Sequence, residues 1–205
     1  QMTSHKHSFI FVHIPKTAGT SVAACLRPYC ETYIKHHHIL DRLPPNPRSY
    51  YKFCVSRNPW DRCVSRYHYL KQEPWFPRGD FSDFIINKNN KFSYGSIRVQ
   101  QIKNEYNPPL EGFIKLCDKF PFDEQLDWVS DNEGNILMDF FIKFETLQKD
   151  FNIVCDKIGI PKQKLPHTNK TNHKHYTEYF DNVTRELVAE KYAKDIEYFG
   201  YEFGK

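Results

Sequence analysis

The sequence predicts an α/β protein in which helices flank a parallel sheet, and three observations carry that prediction. Two strand–turn–helix units stand within the first 71 residues, a third strand and helix follow at 136–158, and Gly or Pro marks the helix ends. At 205 residues the chain is long enough for a sizeable core. We expect 1–205 to form one domain, with an irregular lobe at 75–109 where turn signals such as Asn107-Pro108-Pro109 crowd short apolar pieces.

Phe9-Ile10-Phe11-Val12-His13-Ile14 is a short, β-rich apolar run, as expected for a strand buried on both faces of a parallel sheet. Pro15-Lys16-Thr17-Ala18-Gly19-Thr20-Ser21 follows as a turn of small and hydroxyl residues, and Val22-Ala23-Ala24-Cys25-Leu26 then takes up helical character. Such a strand, loop and helix start aims backbone N–H groups and the positive end of a helix at one point, where an anion fits. The nucleotide loop GxxxxGK[ST] puts its Lys after the glycines, whereas Lys16 precedes Gly19, which argues against an ATPase or GTPase. A tight turn that holds no ligand is the plain alternative.

The second unit repeats the pattern. Tyr50 to Val55 reads as a strand, Arg57-Asn58-Pro59 as a turn with Pro near the first helical position, and Trp60 to Lys71 as a helix. Trp60, Val64, Tyr67 and Leu70 share its core-facing stripe, while Ser65 and Asp61 project away from it. Arg57 at the strand end and Ser65 on the helix are therefore candidates for a second anion contact; a surface salt bridge and a solvated helix face are the alternatives. Further along, Ile136 to Ile142 reads as a strand, Leu147 to Ile158 as a helix stopped by Gly159, and Asn182 to Phe199 as a final helix stopped by Gly200. Val188, Tyr192, Ile196 and Phe199 fall on one face of that last helix.

Composition narrows the function. The 29 Lys and Arg against 25 Asp and Glu leave a net charge of +4, which suits an anionic ligand but not a nucleic-acid partner with a long basic stripe. No apolar run reaches the ~18 residues of a membrane span. Cys25, Cys30, Cys54, Cys63, Cys117 and Cys155 form no CxxC pair and sit mostly among apolar neighbours, so they read as small core hydrophobes in a reducing compartment. The expected location is the cytoplasm; a lumenal Golgi domain parted from its anchor is the alternative.

The two loops carry a resemblance. Pro15-Lys16-Thr17-Ala18-Gly19-Thr20-Ser21 resembles the 5′-phosphosulfate loop of sulfotransferases, and Arg57-Asn58-Pro59-Trp60-Asp61-Arg62-Cys63-Val64-Ser65-Arg66-Tyr67 resembles their 3′-phosphate motif. The likeness is to the carbohydrate type and its bacterial relatives. It continues through Gln125-Leu126-Asp127, Asp139 to Glu145, Leu165 to Lys170 and Asp195 to Tyr201, sparing mainly 75–109. The family implies a P-loop-kinase-like three-layer fold around a parallel sheet. It also implies a donor co-substrate, 3′-phosphoadenosine 5′-phosphosulfate (PAPS), no metal, and a small-molecule or glycan acceptor. By this resemblance Lys16 and the N–H groups of Thr17, Ala18, Gly19, Thr20 and Ser21 hold the 5′-phosphosulfate, Lys16 also stabilising the leaving group. Arg57 and Ser65 take the 3′-phosphate, and Lys170 belongs to a loop closing over nucleotide or acceptor.

Related enzymes carry a catalytic His between the two loops, where this chain has His36, His37 and His38. Spacing to Leu43 favours His37 as the base, with His36 and His38 as alternatives; the ordinary imidazole pKa of ~6.5 suits proton abstraction near neutrality. His13 is a further candidate, more simply read as a satisfied histidine beside the loop. Competing readings are a metal site of His36–His38 with His173 and His175, disfavoured because adjacent residues of an extended chain face opposite ways; a nucleotide-binding module without transfer; and a P-loop phosphotransferase. Asn169-Lys170-Thr171 and Asn182-Val183-Thr184 match the glycosylation pattern.

Overall fold

In the computed structural model, which describes residues 1–70, 72, 123–166 and 174–205, both expected strand–turn–helix units form. The chain opens with β1 (Met2–Ser4) and passes through a turn into β2 (Phe9–Val12), which feeds α1 (Gly19–Leu26). A two-residue β3 (Thr32–Tyr33) precedes a strap that includes the histidines and a 3₁₀ turn at Ile39–Arg42. β4 (Tyr51–Ser56) then feeds α2 (Pro59–Leu70). After residue 123 come β5 (Phe140–Lys143), α3 (Leu147–Ile158), α4 (Asn182–Lys191) and α5 (Ala193–Phe199). The lobe expected at 75–109, Cys117, Lys170 and His173 lie outside the described residues.

The five described strands form one sheet in the order β3-β1-β2-β4-β5. β2, β4 and β5 run parallel, Phe11 opposite Phe53 and Phe53 opposite Phe140, which is the α/β arrangement the sequence predicts. The sheet is nonetheless mixed rather than wholly parallel, because β1 pairs antiparallel with both β2 and β3. Met2-Thr3-Ser4 is too short and too polar to announce itself as a strand; it is recruited by the free edge of β2, whose backbone groups need partners once buried.

Alternation along the strands explains the core. Phe9 and Phe11, Phe53 and Val55, and Ile142 meet Val22 and Leu26 of α1 and Phe151, Val154 and Ile158 of α3. Ile10, Val12 and Cys54, which alternate with them, have no exposed surface, so the central strands are buried on both faces. α3 ends at Gly159, whose φ of 70° is the left-handed cap that glycine supplies most readily.

The described residues group into two compact units, Gln1–Arg57 with Gln125–Lys170, and Asn58–Glu124 with Thr171–Lys205. The first holds the sheet, α1 and α3. In the second, Trp60, Cys63, Val64 and Tyr67 of α2 pack with Tyr176, Val188 and Tyr192. Asn58 opens this unit: its Oδ1 accepts the Trp60 N–H (3.1 Å), capping α2, while Nδ2 donates to the Glu202 carbonyl (3.1 Å). α2 is buried nearly all round, Arg62, Ser65 and Arg66 included, not on one stripe alone. The final helix expected over 182–199 is broken at Tyr192 (φ −110°, ψ 31°), whose phenol burial pushes well above its usual pKa. Cys25, Cys54, Cys63 and Cys155 are buried free thiols, and Cys30 is a half-buried one. No described helix is long and apolar enough to cross a membrane.

Candidate functional site

The loop between β2 and α1 is built under strain. Lys16 and Ala18 both have φ of 65°, a region that costs a side-chain-bearing residue on the order of 1 kcal/mol or more. Ala18 occupies the N-cap of α1 with φ 65° and ψ 15°, and its methyl supplies no capping bond. An Asp or Ser there would have taken up one of the first helical N–H groups. Among the described residues no protein acceptor takes the N–H groups of Thr17, Ala18, Gly19 or Thr20. Ser21 differs from that set: its N–H donates to the Ala18 carbonyl (3.0 Å), which narrows the loop's open backbone donors to residues 17–20. Thr17 is turned inward, its hydroxyl donating to the Ile14 carbonyl (2.9 Å) and holding the loop on the strand end. Alternating left-handed residues with unpaired N–H groups at a helix start form a concave anion cradle.

Arg57, at the end of the neighbouring parallel strand, is brought to the same loop. Its Nη1 donates to the Lys16 carbonyl (3.1 Å), and the guanidinium lies 4.0 Å from the centre of the Phe144 ring. The backbone of Arg57 is clamped by Gln125, which accepts its N–H (2.8 Å) and donates to its carbonyl (2.9 Å). Arg57 as a residue is only 8 % exposed, and its guanidinium, pinned at both backbone and side chain, is oriented before any ligand arrives. Sequence reading noticed Gln125 only as part of a family string; its partner is 68 positions away, so no local pattern could show the clamp. Ser65, the other residue of the second motif, is on α2 in the second unit and 8 % exposed.

The three strap histidines do not converge. The Nδ1 of His36 lies 3.3 Å from the His13 carbonyl and its ring 4.7 Å from the His13 ring. His38 donates from Nδ1 to the Asp127 carbonyl (3.0 Å) and stacks on the buried Trp128 ring (4.3 Å). His37 sits 3.4 Å from the Asp41 carboxylate, also through Nδ1. In His37 and His38 the engaged nitrogen is Nδ1, which leaves Nε2 as the basic one. The Asp41 carboxylate that His37 faces is the kind of partner that stabilises an imidazolium as it forms. Among the described residues no group of three His, Cys, Asp or Glu side chains is arranged to hold a metal ion; His175 bonds Thr177 instead.

His13, directly after β2, is buried with its Nδ1 3.0 Å from the Tyr33 hydroxyl. Burial, with His36, the terminal amine and Lys35 nearby, lowers its pKa to about 3, so the ring is neutral near neutrality.

Comparison with known proteins shows the family. The model of the sulfotransferase family matches residues 1–202. Carbohydrate sulfotransferase 10 of Xenopus laevis is 24 % identical over 97 % of this chain, and the match spans 66 % of that relative's length. An uncharacterized protein of Archaeoglobus fulgidus is 28 % identical over 56 % of this chain and 72 % of its own. Among solved structures, a sulfotransferase from Alicyclobacillus acidocaldarius aligns over 76 % of this chain and 57 % of its own, at 14 % identity and a TM-score of 0.37.

Proposed function

The chain belongs to the sulfotransferase family, and from that premise we propose that it moves a sulfuryl group from PAPS to a hydroxyl of a carbohydrate acceptor, with His37 as the general base. The observation that carries the reading is the cradle: four unpaired N–H groups on a strained loop, beside a guanidinium fixed in advance. The strain and the missing cap make no sense in a turn that holds nothing, and they suit the 5′ phosphosulfate of the donor. The carbohydrate acceptor is supported by the named relative from Xenopus laevis.

The donor supplies a sulfuryl group already activated by its anhydride bond to phosphate. The chain's own residues then have three tasks. The N–H groups of Thr17 to Thr20 hold the 5′ end in line with the acceptor oxygen, and Lys16 offsets the charge that develops on the departing phosphate oxygen. His37 takes the acceptor's proton at Nε2 as the new S–O bond forms and the bond from sulfur to the bridging oxygen breaks, leaving 3′-phosphoadenosine 5′-phosphate. Arg57 and Ser65 are assigned to the 3′-phosphate, and Lys170 to the closing loop, on the family pattern. The family match runs through both compact units, which supports reading 1–205 as a single domain.

Calorimetric titration with 3′-phosphoadenosine 5′-phosphate, against ATP and GTP with magnesium, tests the donor. We expect selective binding without metal, weakened roughly ten- to a hundredfold by Arg57→Ala, as for loss of a charge-assisted hydrogen bond. His37→Ala should leave that affinity in place and lower kcat by about 10²-fold or more in a sulfate-transfer assay on oligosaccharides. Preference for ATP with magnesium would overturn the donor assignment. Loss of turnover in His36→Ala or His38→Ala, with His37→Ala active, would move the base.

A further inference from the structure

Gly19 is not in the left-handed region; the strained positions of the loop, Lys16 and Ala18, both carry side chains. Its lack of a side chain has another cause. A Cβ on Gly19 would come within 2.6 Å of His13 Nε2 and 2.9 Å of His13 Cγ, and closer still to Cδ2. The imidazole of His13 occupies the place that the first side chain of α1 would take. The same ring lies nearly parallel to that of Tyr33 on β3 (3° between planes), and Tyr33 closes a hydrogen bond on Nδ1. The carbonyl of His13 in turn faces His36, so one residue touches the start of α1, β3 and the histidine strap.

We propose that His13 is a positioning residue for the anion cradle: its ring, braced by Tyr33, wedges against Gly19 and sets the spacing of the loop's open N–H groups. The inference rests on the donor-site reading. A residue with only 2 % of its surface exposed, its ring fitted to a glycine without a conformational need to be one, is more than a strand-end filler. His13 contributes shape, since its neutral ring brings no charge to an anion. Gly19 and His13 form one device, in which a side chain on the first displaces the second.

The test compares wild type with His13→Ala, Gly19→Ala, the double variant and the milder Tyr33→Phe. The readouts are calorimetric affinity for 3′-phosphoadenosine 5′-phosphate and for inorganic phosphate, KM and kcat for the donor, and the urea midpoint. Sub-ångström displacement of the N–H groups should weaken both anions about tenfold in His13→Ala and in Gly19→Ala, and a few-fold in Tyr33→Phe. The double variant should be no worse than His13→Ala, because once the ring is gone the methyl has room; this non-additivity separates the wedge from two unrelated losses. Donor KM should rise more than kcat falls. Lower urea midpoints with unchanged anion affinities and KM, or additive losses in the double variant, would overturn the proposal, as would a wild type that binds neither anion. Phosphate binding without nucleotide selectivity would overturn the donor reading, while the wedge is still judged on phosphate affinity. Should His13→Ala or Gly19→Ala fail to fold, Tyr33→Phe decides: unchanged affinity in it overturns the wedge.

Discussion

Enclosed by Phe11, Tyr33 and His36, the imidazole of His13 also ties stability to pH. Its pKa in the folded chain is about 3, against an ordinary value of ~6.5. Below pH 6.5 the unfolded chain therefore takes up a proton that the folded chain refuses. The contribution is present in full above about 6.5 and is lost progressively as pH falls toward 3. Between pH 7 and 5, before most carboxylates titrate, the loss is about 2 kcal/mol. Urea unfolding of wild type and His13→Phe at both pH values measures it, with the other histidines cancelling in the difference. We expect the variant to lose about 2 kcal/mol less than wild type, and equal losses would mean that the ring is not kept neutral by burial. Such a residue is poorly legible in sequence. Lys16, Arg57 and the histidine run stood out by type and order, whereas the role of His13 depends on Gly19, six positions on, and Tyr33, twenty positions on, meeting in space.

At the scale of elements, what periodicity and punctuation announce is found close to place: β2, α1, β4, α2 and α3 all form within a few residues of expectation. β1 and β3 were not legible, because two- and three-residue strands take their conformation from the neighbour they pair with. The strand read over 136–142 begins only at Phe140, since Ile136 is used instead in a bridge to Ser130. The end of β4 shows how such long-range partners serve the site. There the backbone of Arg57 leaves the sheet, and Gln125, with no exposed surface, supplies the acceptor and donor that a further strand residue would have given. Gln125→Leu keeps the volume but strands a buried N–H and a buried carbonyl, at about 2 to 4 kcal/mol together. We expect that loss in chemical denaturation, with affinity for 3′-phosphoadenosine 5′-phosphate falling at least severalfold as Arg57 drifts. A variant of wild-type stability and affinity would show that the clamp does not hold the guanidinium.

For the whole molecule, the reading of a single domain meets a chain whose described residues gather into two units, each with its own apolar cluster. Composition and length could not reveal this, because the crossing points at Arg57, Glu124 and Lys170 carry no Gly- or Ser-rich linker signal. Two clusters need not mean two folding units. A family match running from 1 to 202 ties both into one inherited sequence. If the chain is one cooperative domain, both clusters melt together. Trp128 is buried in the first unit and Trp60 in the second, so variants keeping only one of them as fluorophore report the units separately. We expect coincident urea transitions, and 3′-phosphoadenosine 5′-phosphate at about 100 times its Kd should raise both by roughly 2.7 kcal/mol, since a ligand of the native state stabilises everything that unfolds with its site. If the Trp128 transition moves with nucleotide while that of Trp60 does not, the second unit folds on its own account, and the single-domain reading falls while the donor assignment stands.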